Sequence, residues 1–227
     1  MKIGPPLITN GLVLLYDFAS RNSYRGTGTS IIDRSGFKNN ATISNSPTFV
    51  NIGAYSYFSF NGAATPAQLI SDGNGSTIQF NAGTVVTWAY ATNANSAAAG
   101  HMIVGKPNAW GIHVASNRLQ IYDYGNAIFR DTGVTIGNST WNHIAITFTT
   151  STGAPSNNCI VYINGSAVLT TTLRNSSQAS NFVMGSDGAG AQKFTGFIST
   201  VTLYDKVLTA TEILQNYNAK KSRFGKR

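Results

Sequence analysis

The 227-residue sequence contains eight carboxylates, and one of them, Glu212, is its single glutamate. Hydrolysis of a glycosidic bond needs two carboxyl groups about 5–10 Å apart, one of them kept protonated as the acid. The seven aspartates never occur as Asp-x-Asp. Asp123 and Asp131 are the closest aspartate pair, and they flank YGNAIFR, which reads as a hairpin. A carboxylate pair across that hairpin is the one acid–base arrangement the spacing leaves. Glu212 has a structural reading. Thr209 three residues before it makes a capping box, in which the hydroxyl accepts from the Glu212 amide and the carboxylate reaches back to the Thr209 amide. Leu208 and Ile213 form the matching hydrophobic staple, and Ile213, Leu214 and Tyr217 share one helical face.

The candidate bases are His101, His113 and His143. No Gly-x-Ser-x-Gly elbow or Cys-centred motif accompanies them, and no His-x-His or His-x-x-x-His spacing suggests a transition metal. His143 follows Trp141-Asn142 at a strand start and reads as a half-exposed sheet position. His113 alternates with Ile112 and Val114 and is expected to face solvent. Cys159 is alone, so neither an intrachain disulfide nor a thiolate cluster can form; in CIVYIN it reads as a small buried hydrophobe. The glycine-rich GSDGAGAQKFTG (185–196) lacks the Lys-Ser/Thr that would lead a phosphate loop into a helix, and reads as a turn. The sequence therefore predicts no catalytic residue and no required cofactor. Calcium held by loop aspartates leaves little sequence trace; Asp72 in SDGNGS and Asp187 in GSDGAG are its candidates, with Asx turns as the alternative.

Glycan binding asks for aromatic platforms beside amide, hydroxyl or guanidinium partners. RLQIYDY supplies them on one face: Leu119 and Ile121 point inward, while Arg118, Gln120, Tyr122 and Tyr124 point outward, with Asn126 next in the chain. Trp110, before Gly111, is expected to face a groove. The competing reading is cross-strand aromatic packing or burial against a neighbouring subunit.

The elements that would position these residues are strands. In TVVTWAYA, Val86, Trp88 and Tyr90 share one face; in WNHIAITFT, Ile144, Ile146 and Phe148 oppose His143, Ala145 and Thr147. Period-two alternation marks strands with one buried face. CIVYINGSAVLTTTL reads as a hairpin around Asn164-Gly165, the pair that a type I′ turn favours. Further strands are expected at Leu12–Asp17, Tyr55–Phe60, Met102–Val104, Gly111–Ala115, Phe182–Gly185 and Phe194–Tyr204, and no helix before residue 205. Many short strands joined by Gly, Asn and Ser turns predict an all-β antiparallel sandwich or jelly roll. The triplets at Asn40, Asn74, Asn138, Asn164 and Asn175 fit turns as well as glycosylation sequons.

Charged residues are 11% of the chain, against roughly 25% in ordinary soluble domains. The net charge of +8 is concentrated at the C-terminus, where Lys220, Lys221, Arg223, Lys226 and Arg227 supply five of sixteen cations. This distribution argues against nucleic-acid binding. It reads as a solvated end or as a docking peg for an acidic partner, together with Pro5 and Pro6 of the N-terminal arm. The run Leu12–Tyr16 is too short for a signal peptide, and no stretch is long enough to insert in a membrane. The chain divides into an extended arm (1–10), one domain (11–219) and a basic tail (220–227).

NGLVLLYDFASRNSYRGTGTSIIDRSGFKNNATISNSPTFV (10–50), YFSFNG (57–62), WNHIAITF, VYINGSAV, FTGFISTVTLYDKVLTATEILQNYN and SRFG together resemble concanavalin A-like, laminin-G-type jelly-roll domains over residues 10–225. The resemblance implies two antiparallel sheets and a closing C-terminal helix. The glucanases of that family carry Glu, Asp and Glu on one strand; those positions are not matched here. The proline-rich arm and the Asn-Tyr-Asn…Ser-Arg-Phe-Gly ending resemble versions found on tailed-bacteriophage particles. The expectation is therefore a non-enzymatic virion surface protein, a capsid decoration or fibre component, made in the host cytoplasm without a signal peptide. Its partners would be capsid or tail proteins of the same particle, and a homo-oligomer is compatible with this. The alternative is a lectin or adhesin that attaches the particle to cell-surface glycans.

Overall fold

The computed structural model describes residues 4–73, 75–98, 100–149, 156–174 and 177–226. Asn74, Asn175, Arg227 and the first three residues of the arm lie outside them. Among the described residues, sixteen strands follow in chain order: β1 (Leu12–Asp17), β2 (Ser30–Ile31), β3 (Ala41–Ser44), β4 (Thr48–Val50), β5 (Tyr57–Phe60), β6 (Leu69–Asp72), β7 (Ala82–Ala91) and β8 (His101–Lys106). Then come β9 (Trp110–Ala115), β10 (Arg118–Asp123), β11 (Ile128–Thr135), β12 (Trp141–Thr149), β13 (Cys159–Ile163), β14 (Ser166–Thr171), β15 (Val183–Met184) and β16 (Gly196–Tyr204). Helix α1 spans Ala210–Lys220, and a 3₁₀ turn at Lys221–Phe224 continues it.

The strands form two antiparallel sheets of eight. The first runs β14-β13-β12-β7-β16-β5-β4, with β1 also on β16; the second runs β11-β10-β9-β8-β15-β6-β3-β2. This is the jelly-roll sandwich expected from the sequence. Val85, Ala89, Ile144, Ile146, Phe148 and Leu203 of the first sheet face Ile112, Val114, Leu119 and Ile121 of the second across one core. Asn164 and Gly165 both take positive φ (51° and 84°), as the type I′ reading of that hairpin requires.

The resemblance motif around Asp33 is a clasp. The buried Asp33 carboxylate accepts from the Leu15, Ser35 and Asn39 amides and from the Ser35 hydroxyl, at 2.7–3.1 Å. Asn39 donates to the Val13 carbonyl and Asn40 accepts from the Asp33 amide. The residues that look distinctive in DRSGFKNN thus pin one connection to β1.

The one-buried-face expectation fails in the first sheet. Val86, Trp88, Ala145 and His143 lie on its outer face and are nonetheless buried. Leu208 and Ile213 cover part of that face with Ile8 of the arm, and Phe224 stacks on Trp88 at 4.1 Å. The capping box forms as expected: the Thr209 amide donates to Glu212 (2.8 Å) and the Glu212 amide to the Thr209 hydroxyl (3.3 Å). Lys206 also binds the Glu212 carboxylate at 2.6 Å and, with the Thr209 amide, holds it below the usual carboxylate range. Leu214 lies beside Tyr217 over the turn at Gly165, on the expected face, and stays exposed.

The arm and the tail are part of this packing. The Ile8 amide donates to Asn216, Tyr204 donates to the Ile8 carbonyl, and Gln215 donates to the Pro6 carbonyl. Lys220 and Arg223 were expected to serve as contacts to a partner. Instead they bind Asp17 inside the domain, because the 3₁₀ turn folds the chain back over the end of β1. Pro5 and Pro6 remain exposed, and Lys221 lies over the Tyr217 ring.

Candidate functional site

The outward face of β10 carries three of the six residues picked for glycan contact, Arg118, Gln120 and Tyr122, and Tyr124 follows just past its end. Tyr122 and Tyr124 touch edge to face, with ring centres 4.5 Å apart at 86°. Tyr122 also packs on Phe129 of β11 (4.5 Å) and on His113 of β9 (5.8 Å). Both tyrosines are half-buried. Gln120 sits one step along the same face, opposite His113 and Asp131. At that end Arg118 pairs with Asp131 at 3.1 Å, both side chains well exposed.

At the other end lies a fixed polar network. Asp123 is fully buried and accepts from Arg130 (2.8 Å), Asn126 (2.9 Å) and the Arg174 amide (3.0 Å). The Asn126 carbonyl oxygen accepts from the Arg174 guanidinium at 2.7 Å. Two half-exposed rings are thereby framed by planar hydrogen-bonding groups whose geometry is locked, which is the arrangement a polar ring-shaped ligand needs.

Trp110 does not join them. It begins β9 on the inner side, with Ile112 and Val114, and is fully buried against Phe148 (6.0 Å) and Phe182 (5.9 Å). The expectation that His113 faces solvent is likewise overturned, because Phe129 and Tyr122 close over it; burial pushes its pKa down to about 3. His143 is buried too, between Trp88 and Tyr217, rather than half-exposed.

The carboxylate pair considered for hydrolysis is not assembled. Asp131 stands opposite Gln120, Asp123 stands opposite Ile128, and each binds a different arginine. The two calcium candidates are both engaged within the fold. Asp72 is no loop residue; it ends β6, buried, and accepts from the Phe182 amide at 2.9 Å. One oxygen of Asp187 closes its own turn, accepting from the Gly190 (2.7 Å) and Ala191 (3.1 Å) amides. Among the described residues, no group of three or more His, Cys, Asp or Glu side chains is placed to hold a metal ion.

Sequence reasoning missed a second aromatic group, on the outer face of the first sheet. Trp141 of β12 stands opposite Tyr90 of β7, and Tyr90 stands opposite Phe197 of β16. Tyr57 of β5 stacks on Phe197 at 4.6 Å and 26°. The four rings come from four strands. Only the strand order brings them together, so no local pattern announces them.

A family model described as the concanavalin A-like lectin/glucanases superfamily matches residues 55–214. Comparison with curated proteins gave no match. Among solved structures, the binding domain of Paraclostridial mosquitocidal protein 1 superposes with a TM-score of 0.70 at 18% identity, over 96% of this chain and 56% of that one. Domain 4 of AbnA, an extracellular arabinanase of Geobacillus stearothermophilus solved with arabinotriose, gives 0.62 at 18% identity, over 91% and 98%. Trypanosoma rangeli sialidase gives 0.67 at 17%, over 98% of this chain and 36% of that one. The chain thus spans about half of the toxin domain and about a third of the sialidase. At such identities the likeness shows the fold alone. With the model covering most of its length, the chain belongs to the concanavalin A-like lectin/glucanases superfamily.

Proposed function

We propose that this chain is a non-catalytic carbohydrate-binding module, carried on the surface of a bacteriophage particle, that holds a glycan on the outward face of β10. The observation that carries the reading is the contact between Tyr122 and Tyr124. Their edge-to-face geometry leaves ring surface uncovered by the other ring, beside Gln120 and between the Arg118–Asp131 and Asn126–Arg174 pairs. AbnA domain 4, a fold neighbour that spans the same length as this chain, was solved with a trisaccharide. The particle setting rests on the resemblance of the arm and ending to phage versions of the family, and capsid or tail proteins are its partners there. The non-catalytic reading is supported by Asp123 and Asp131, the closest aspartate pair in the sequence, each being bound to a different arginine.

The test is a glycan array followed by titration calorimetry, with and without calcium. Saturable binding weakened about tenfold or more by Tyr122→Ala or Tyr124→Ala is the expected result. A blank array, or binding that both substitutions leave intact, rejects the site. Hydrolysis of an arrayed glycan, abolished by Asp123→Asn, rejects non-catalysis.

A further inference from the structure

The outer face of the first sheet presents a second surface with a different chemistry. Trp141, Tyr90, Phe197 and Tyr57 are half-buried there, and Tyr55 is 36% exposed beside them. The tail brings Phe224 against Trp141 (5.0 Å) and Tyr55 (6.3 Å), and an open groove of about 390 Å³ runs between these rings, Ser222 and Arg223. Arg223 donates to the Ala54 carbonyl, and Ser56, two residues along the chain, lines a second, smaller groove with Asn51, Arg21 and Arg25. Arg21 and Arg25 are exposed. Among the described residues, no Asp or Glu lines either groove. Asp17 lies beneath, already neutralised by Lys220 and Arg223.

Ring geometry separates this surface from the β10 site. Tyr57, Phe197 and Tyr90 stack nearly parallel, at 26° and 28°, so each covers a ring face of its neighbour and the stack offers ring edges. A sugar stacks on an open ring face. Ring edges carry the positive end of the quadrupole and attract carboxylate and carbonyl oxygens. Trp, Tyr and Arg are also the residues that anchor protein interfaces. The residues that line the two grooves include cations and no acidic side chain, so a second copy of this face offers it no charge complement.

We propose that this aromatic–arginine face docks a protein partner that presents carboxylates around an apolar side chain. The face lies on the opposite sheet from β10, so it stands or falls independently of the glycan reading. The probe is an array of immobilised peptides about twelve residues long, in three sets: Asp/Glu with Leu or Trp, Lys/Arg with Leu or Trp, and Ser/Asn with Leu or Trp. Selective binding of the acidic set is expected. Anisotropy titration of the best acidic peptide should show about tenfold weaker binding for Trp141→Ala and for the double variant Arg21→Glu/Arg25→Glu. Tyr122→Ala should bind unchanged. The arginine pair is exposed, so that variant reports even if Trp141→Ala folds poorly. Equal binding of all three sets, or indifference to the arginine variant, overturns the proposal. Loss of a glycan-array signal in Trp141→Ala would assign the face to sugar instead. Self-association in sedimentation that the arginine variant abolishes would assign it to a second copy.

Discussion

Arg223 clamps Asp17 with two parallel hydrogen bonds of 2.9 Å, across 206 residues of sequence. Lys220 adds a third contact at 3.0 Å. Burial by itself would raise the Asp17 pKa, but the Arg223 bonds and the Lys220 charge outweigh it and hold the carboxyl well below the usual range. The pair joins the end of the first strand to the last turn of the chain. It seats Phe224 over Trp88 and Trp141, and so shapes the edge of the aromatic face.

Breaking that clamp should be costly. Asp17→Asn leaves two poorly solvated cations without their counter-charge, a loss of about 3–5 kcal/mol for a buried pair. The thermal midpoint should fall by roughly 10 °C. Asp131→Asn breaks the exposed pair with Arg118, worth about 0–1 kcal/mol, and should leave the midpoint nearly unchanged. Thermal unfolding of the two variants beside the parent decides the matter. Equal, small shifts would mean that the tail is held by its rings alone.

What the sequence made legible was local. The alternation of β10, the Asn164-Gly165 turn and the Thr209–Glu212 box each lie within one window, and each stands as expected. The two-residue strand β2 is too short to show any period, whereas β15 falls within the strand expected at Phe182–Gly185. The larger misreadings share one cause. Burial of His143 and Trp88 depends on Tyr217 and Phe224, supplied from about 75–135 positions away, and nothing in WNHIAITFT or TVVTWAYA marks which outer face gains a cover. Trp110 was misplaced because its side is set by strand register, and the Gly111 after it says nothing of that.

The buried histidines give the fold a pH dependence whose sign is fixed. His143 is held down to about 3, first by burial and then by the Lys220 charge, and His113 is held to about 3 by burial and His101. Unfolded histidine titrates near 6.5. Between these values the unfolded chain takes protons that the folded one refuses, so stability is lost as pH falls below about 6.5, by about 1.4 kcal/mol per pH unit for each histidine. Asp17 adds a loss of the same sign below about pH 4. Chemical unfolding at pH 7, 6, 5 and 4.5 should show the decline, and His143→Phe should remove about half of it above pH 4.5. A flat profile from 7 to 5 would mean that these rings are hydrated in solution.

Trp110 and Tyr122 should separate stability from binding. Trp110 fills the core between Phe148 and Phe182, so Trp110→Ala should cost about 3–5 kcal/mol, and the milder Trp110→Phe should lower the midpoint while the glycan affinity stays at the parent value. Tyr122→Ala should do the reverse in its larger effect, weakening glycan binding about tenfold with a smaller loss of stability, because its ring is only half-buried. Calorimetric titration and thermal unfolding on the same three samples give both quantities. If Trp110→Phe weakens glycan binding as much as Tyr122→Ala does, the platform on β10 depends on the core beneath it, and the binding surface extends through the sheet.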